Sequence, residues 1–383
     1  NKYPNFRAQK DMDNIQMVDL KNQYLKIENE IDVAIKEVIT NSSFINGPSV
    51  KKFQSELEHY LNVEHVIPCA NGTDALQASL MSLNLTPGDE IITSTFTFIS
   101  TAEVISLLKL KPVFVDVSMN NFNLVPEEIE KAIGPRTKAI IPVHLYGQCA
   151  PMEQIMKIAE MNNLFVIEDT AQALGADYIF SNGSSKKAGT IGTIGTTSFF
   201  PSKNLGCYGD GGAIFTNDSV LAEKIKMICN HGSKRKYNHE IVGMNSRLDS
   251  IQAAILSIKL KKLSEYSSAR YDAAHIYSSH LKDLDWLEIP HEEDYSNHVY
   301  HQYTIKVLNG RRDELRDYLN ALQIPSAVYY PKSLHKQIAF SNTQNGCFPN
   351  SNDLESKVLS LPMHTELDKD SILHIVNSIK SFK

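Results

Sequence analysis

From His65 to about residue 220 the chain keeps changing its hydrophobic period, and this alternation limits the fold more than any single motif does. HVIPC (65–69), EIIT (90–93), PVFVDV (112–117), KAIIPV (138–143) and LFVIED (164–169) are apolar, largely β-branched runs of strand length. Between them DALQASLMSL (74–83), TAEVISLL (101–108) and MEQIMKIAEM (152–161) read as helices. Strand and helix in turn predict a mostly parallel sheet with helices on both faces. At 383 residues the chain exceeds what one simple core usually holds, so a smaller unit is expected after the large one. IQAAILSIKLKKLSEYSSARYDAAHIYSSHL (251–281) reads as a long helical connection, followed by a strand, VYHQYTIKV (299–307), and a helix, RRDELRDYLNALQ (311–323). This places a large domain at 15–260 and a C-terminal domain at 261–383. Ahead of the strands, Ile27, Ile31, Ala34, Ile35 and Val38 mark an amphipathic helix. A turn at Asn46, Gly47 and Pro48 then opens a second one with Phe53, Leu57 and Leu61 on one face.

Ligands of open α/β sheets gather beyond the carboxyl ends of the strands. The run LFVI ends there in Glu168 and Asp169. Further on, SFFPSKNLGCYGDGGA (198–213) holds Lys203 in a loop between a Gly/Thr-rich run and the apolar run AIFT. A lysine among apolar and aromatic neighbours loses hydration of its ammonium, which lowers its pKa and frees the amine to bond an aldehyde. Alone, a loop lysine is ordinarily solvated and a strand-terminal acid ordinarily caps the next helix. Together they fit the pyridoxal phosphate arrangement, in which a lysine holds the aldehyde and an acid keeps the ring nitrogen protonated. Gly72 and Thr73 open a helix after the first strand, where free N–H groups and the positive dipole end favour a phosphate, although a capped helix start with no ligand looks the same in sequence.

NGTDAL (71–76), TFTFISTAEV (95–104), PVHLYGQ (142–148), IEDTAQALGA (167–176), the lysine segment and GMNSRLDSIQAAIL (243–256) resemble, in order, the DegT/StrS family of sugar-nucleotide aminotransferases. The resemblance runs from about Ile15 to the C-terminus. It implies an aspartate-aminotransferase-like α/β fold of type I: a large domain with a mostly parallel seven-stranded sheet between helices, one antiparallel strand near 213–217, and a small C-terminal α+β domain. It implies pyridoxal 5'-phosphate as cofactor, with Lys203 and Asp169 as the catalytic pair. Phe98 would lie on the face of the pyridine, Gln172 would bond its phenolic oxygen, and Ser198 would hold phosphate with Gly72 and Thr73. It implies a homodimer with shared sites, in which Asn245 reaches the partner's phosphate. Arg247, two residues on, projects to the same side of an extended segment. There it would meet the negative charge of the substrate, or else form an interface ion pair. Tyr329, Tyr330, Phe44 and Asn46 fall in segments that the family brings to the substrate, and each also has an ordinary structural reading.

Within the family the lysine segment and IPVHLYGQ are most similar to enzymes that aminate UDP-2-acetamido-3-keto-glucuronate with glutamate, for surface-polysaccharide synthesis. Those enzymes tend to carry His-Tyr before the proline, where this chain has Tyr329-Tyr330 and Pro331. A dTDP-3-keto-6-deoxyhexose is the alternative, and amination at carbon 4 a more distant one. A non-catalytic protein that merely retains the cofactor would be favoured only if Lys203 were absent.

A net charge of −6 argues against a nucleic-acid surface and points to small partners. Lys234, Arg235 and Lys236 form a basic cluster that reads either as a solvated loop or as a local attraction for a diphosphate. Five cysteines without CxxC spacing suggest reduced thiols in a cytoplasmic chain, and no metal site is expected. No apolar run is long enough for a membrane span. The opening NKYPNFRAQKD lacks the apolar core of a signal peptide and reads as a polar leader.

Overall fold

The computed structural model describes residues 15–341, 343 and 346–382, so the polar leader lies outside the described residues. Seven strands make the central sheet: β1 (His65–Cys69), β2 (Glu90–Ser94), β3 (Lys111–Val115), β4 (Thr137–Ile141), β5 (Phe165–Asp169), β8 (Ile194–Ser198) and β9 (Gly212–Thr216). Their order is β1-β9-β8-β5-β4-β2-β3. A short ribbon of β6 (Asp177–Ile179) and β7 (Ser185–Lys187) interrupts the sequence between β5 and β8.

Alternation of side chains across the pleat explains why these strands are apolar throughout. Ile91, Ile141 and Ile167 pack on one face with Ile67, Leu76, Ile194 and Ile214. Their neighbours Ile92, Ile140 and Val166 point the other way, onto Ile155 and Ile158 of the helix Met152–Met161. Both faces are covered, so neither has a polar stripe. The pairs β5–β8, β4–β5, β2–β4 and β2–β3 are parallel, whereas β9 is antiparallel to both β8 and β1, as the family resemblance implies. The reason is the connection. The loop carrying Lys203 contains no crossover helix, so the chain returns alongside β8 in the opposite direction.

The helices Glu28–Thr40 and Pro48–Leu61 bury Ile31, Val38, Phe53, Leu57 and Leu61 as their spacing predicts. Two expectations need correction. The long helical stretch is two helices, Ser250–Leu260 and Leu263–Leu281. Leu260 and Leu263 both sink into the core under the 48–61 helix, and the second helix then leads away to a different core with Ala274, Tyr277 and Leu281. The strand expected at 299–307 is shorter, because residues before Tyr303 bond elsewhere: Val299 N–H donates to Gly147 O (2.9 Å) and Gln302 N–H to Tyr146 O (3.2 Å).

β10 (Ser233–Arg235) and β11 (Asn238–His239) form a second ribbon. Beyond residue 281, β12 (Leu287–Glu288), β13 (Tyr303–Val307) and β14 (Val358–Leu361) make a three-stranded antiparallel sheet. Its core joins Ile305, Leu359 and Leu361 to Leu315, Leu319, Ile372, Ile375 and Ile379 of the flanking helices. No helix among the described residues is long and apolar enough to cross a membrane.

Candidate active site

Beyond the carboxyl ends of β5 and β8 lies a cleft of about 640 Å³. Gly72, Thr73, Phe98, Asp169, Gln172, Ser198, Lys203, Tyr329 and Tyr330 all line it. The remaining candidates stand elsewhere. Arg247 and Asn46 border a separate groove with Lys51, Lys226 and Lys234, while Asn245 and Phe44 are exposed.

The pleat separates the two acids of β5. Asp169 turns to the cleft, 6% exposed, where its Oδ2 accepts from Thr101 Oγ1 (3.0 Å) and its Oδ1 from Ala171 N–H (3.1 Å). Glu168 is fully buried on the other side. It accepts the N–H groups of Gly189 (2.9 Å), Ile191 (2.7 Å) and Gly192 (2.6 Å), together with Nε2 of His144 (3.0 Å). Ala150 N–H donates to Nδ1 of the same imidazole (3.0 Å), which leaves Nε2 as the ring's donor to Glu168. Three of these four donors tie the loop ahead of β8 to β5, and His144 joins them from the segment after β4.

Lys203 follows β8 in a loop turned by its N–H donating to Phe200 O (2.8 Å). Its remaining exposed area faces the cleft. Desolvation pushes its pKa down to about 8, against the opposing pull of the Asp169 charge. The helix Gly72–Ser82 begins against the end of β8: a Cβ on Gly72 would stand 2.7 Å from Ser198 Cβ, so only glycine allows this approach. Asn71 caps the helix by accepting Asp74 N–H (2.8 Å). Among the described residues the N–H groups of Gly72 and Thr73 have no protein acceptor. Gln172 is held at both ends, its Oε1 accepting Tyr146 N–H (2.8 Å) and its Nε2 donating to Tyr330 Oη (3.1 Å). Tyr146 Oη donates to the carbonyl of Tyr329. Burial raises the pKa of Tyr330, which keeps its phenol protonated. Phe98 stays 54% exposed, an aromatic face open at the cleft with Tyr330 6.3 Å away between centroids.

The DegT/DnrJ/EryC1/StrS aminotransferase family matches residues 25–380. The chain belongs to that family. It is 45% identical over 373 residues to the "Pleiotropic regulatory protein" of Geobacillus stearothermophilus, which spans 96% of this chain and 98% of the relative. It is 45% identical over 358 residues to the UDP-2-acetamido-2-deoxy-3-oxo-D-glucuronate aminotransferase of Pseudomonas aeruginosa, spanning 94% and 97%. Its fold superposes with a TM-score of 0.91 on the crystal structure of S. venezuelae DesV in complex with a ketimine intermediate, at 36% identity and over 96% and 97% of the two chains.

This DegT/DnrJ/EryC1/StrS chain is an aminotransferase, and its cofactor is pyridoxal 5'-phosphate. The cleft fits that group on its own chemistry: an amine of lowered pKa for the aldehyde, a fixed carboxylate for a ring nitrogen, and two N–H groups without acceptors at a helix start for a phosphate. Thr101, His301 and the His144–Glu168 pair had no place in the sequence reading of the site. Two histidines at the start of HVYHQYTIKV are the available sign for His301. Nothing in the sequence ties Thr101 to an acid 68 residues away.

Proposed function

We propose that this enzyme moves the amino group of glutamate to carbon 3 of a UDP-linked 2-acetamido-3-keto-glucuronate, a step toward surface polysaccharide. The observation that carries the aminotransferase chemistry is the meeting of a desolvated lysine and a fixed carboxylate in one cleft. The sugar is inferred from the Pseudomonas relative. Bound, the cofactor supplies an aldehyde for exchange of amines and a protonated ring that accepts the electron pair left when a C–H bond breaks.

Lys203 would hold the cofactor's aldehyde, and the same amine, its pKa pushed down to about 8 by burial, is suited when free to take a proton from the α-carbon of a bound amino donor and return it to the acceptor bound in the same cleft. Asp169, aimed by Thr101 and Ala171, would pair with the ring nitrogen. Gly72, Thr73 and Ser198 would hold the phosphate, Gln172 would bond the phenolic oxygen, and Phe98 would lie on the ring; all of them line the one cleft. Tyr329 and Tyr330 approach the sugar. In a homodimer, Asn245, Arg247, Phe44 and Asn46 would reach the cleft of the neighbouring chain. Their distance from their own Lys203 cleft supports that reading.

Tyr329, where the similar uronate enzymes tend to carry histidine, favours a second reading: a dTDP-3-keto-6-deoxyhexose. A uronate carries a carboxylate that a 6-deoxy sugar lacks. An arginine pairing that charge in a partly desolvated pocket is worth on the order of 2 to 5 kcal/mol on truncation. Wild type and Arg247→Ala are therefore assayed with glutamate against both sugars. The expected result is a far larger loss of kcat/KM for the uronate. Equal losses would move Arg247 to the diphosphate or the interface. Wild-type preference for the dTDP sugar would overturn the uronate.

A further inference from the structure

Gln172 is buried in the turn after β5, yet both partners of its amide come from elsewhere in the chain. Tyr146 N–H donates to its Oε1 (2.8 Å), and its Nε2 donates to Oη of Tyr330, 158 residues further on (3.1 Å). A backbone N–H can only donate, so the end of the amide that faces Tyr146 is the oxygen, and the end that faces Tyr330 is the NH2 group. That group has two N–H bonds. Tyr330 takes one, and among the described residues the other has no acceptor. Because the side chain lines the Lys203 cleft, this second N–H is the one left for a bound molecule.

Tyr330 is itself held in place. Its ring stands edge to face with the buried ring of Phe96, 6.2 Å between centroids, and 6.3 Å from that of Phe98. The carbonyl of Tyr329, just before it, accepts from Tyr146 Oη. Tyr146 is buried, adopts a φ of 57° and packs edge to face on Phe122, 5.0 Å between centroids. One tyrosine thus fixes the oxygen of Gln172 through its N–H and, through its hydroxyl, the backbone that presents Tyr330 to the nitrogen. Without the Tyr330 acceptor, the amide would keep only the bond at its oxygen and could turn about it.

We propose that Tyr330 is the positioning residue of Gln172: by accepting one of the two amide protons, its hydroxyl turns the other toward the phenolic oxygen of the bound cofactor. Tyr330 then acts on the cofactor through Gln172 and not by a bond of its own. No heavy-atom bond forms or breaks, and every proton stays on its atom. The inference rests on the role given to Gln172 above.

The test is a pH titration of the visible absorption of the full-length, cofactor-loaded protein without substrate, in wild type, Tyr330→Phe, Gln172→Ala and the double variant. A donor on the phenolic oxygen stabilises negative charge there and so lowers the proton affinity of the neighbouring nitrogen that links lysine and cofactor. Losing the donor therefore raises the pH of the spectral midpoint. Tyr330→Phe keeps the ring against Phe96 and Phe98 and removes only the hydroxyl. The midpoint is expected to rise by about one pH unit in Gln172→Ala, by about half a unit in Tyr330→Phe, and in the double variant by no more than in Gln172→Ala alone. An unshifted Tyr330→Phe beside a shifted Gln172→Ala would overturn the proposal. So would additive shifts in the double variant, which would mean that the Tyr330 hydroxyl bonds the cofactor directly. An unshifted Gln172→Ala would instead overturn the role of Gln172, and the proposal with it. If Tyr330→Phe does not unfold cooperatively, Tyr146→Phe takes its part. It leaves the Tyr330 hydroxyl in place but frees the Tyr329 carbonyl, and is expected to raise the midpoint too, with no further rise in the Gln172→Ala background.

Discussion

Asp169 stood out in the sequence only in company with Lys203, since a strand-terminal acid by itself ordinarily caps the next helix, and the structure places both on one cleft. What fixes its aim did not stand out, since Thr101 arrives from a helix after another strand and only the fold brings its hydroxyl within 3.0 Å. The two residues therefore separate charge from orientation. Asp169→Asn keeps the shape and removes the charge, and turnover is expected to fall by orders of magnitude with modest loss of cofactor binding. Thr101→Val keeps the charge and removes one of two donors to it. Hydrogen bonds to charged groups contribute about 1.5 to 3 kcal/mol, so kcat is expected to fall by roughly ten- to a hundredfold. Steady-state kinetics on both variants check this. A Thr101→Val enzyme slower than Asp169→Asn would mean that the hydroxyl, not the carboxylate, carries the electronic role.

Among elements, the strands of the large sheet were legible because they are buried on both faces and so carry long apolar runs. The expected strand at 299–307 overran for the opposite reason. Its first residues are nearly as apolar as the rest, but their backbone is taken by Tyr146 and Gly147, a tertiary bond that no local pattern records. Glu168 shows the same kind of limit. In sequence it is one of two acids at a strand end, and in the fold it clamps the segment Gly189–Gly192 and His144 onto β5. Glu168→Gln replaces one acceptor oxygen by a donor that must face N–H groups. The variant is expected to lose about 3 kcal/mol of stability, the cost of breaking a buried, fully bonded charged group. Denaturant unfolding of the cofactor-free protein measures it. A loss below ~1 kcal/mol would show that the loop is held by its other contacts.

At the scale of the whole molecule, His298 and His364 lie buried on either side of β13 and β14, with pKa values pushed down by burial to about 3 and about 4. Each is neutral in the folded chain and takes up a proton near pH 6.5 once unfolded. Their contribution to stability is thus complete above pH 6.5 and is lost as pH falls from there toward 4. Each adds a slope of about 1.4 kcal/mol per pH unit across that window. Unfolding free energies measured between pH 7 and pH 4.5 should show that fall, and His298→Asn should remove about half of what the two rings contribute. A flat profile in wild type would show that these rings are solvated or already paired.

The groups that do not meet in one chain are the ones that test the proposed homodimer. Asn245 is exposed and Arg247 opens on a groove away from Lys203, although the segment that carries them is one of those on which the family resemblance rests. A homodimer that exchanges these segments would bring each Asn245 to the opposite cleft, and two-fold symmetry makes the consequence countable. Mixing Lys203→Ala chains with Asn245→Ala chains gives hybrids in which one cleft carries both lesions and the other carries neither. If subunits exchange at random, half the dimers are hybrids with one sound site of two, so about a quarter of wild-type activity should return from two inactive parents. Mass spectrometry of intact dimers verifies the exchange. Should hybrids form and remain inactive, each chain completes its own site, and the exposed position of Asn245 would have to be explained by movement within the chain rather than by a partner.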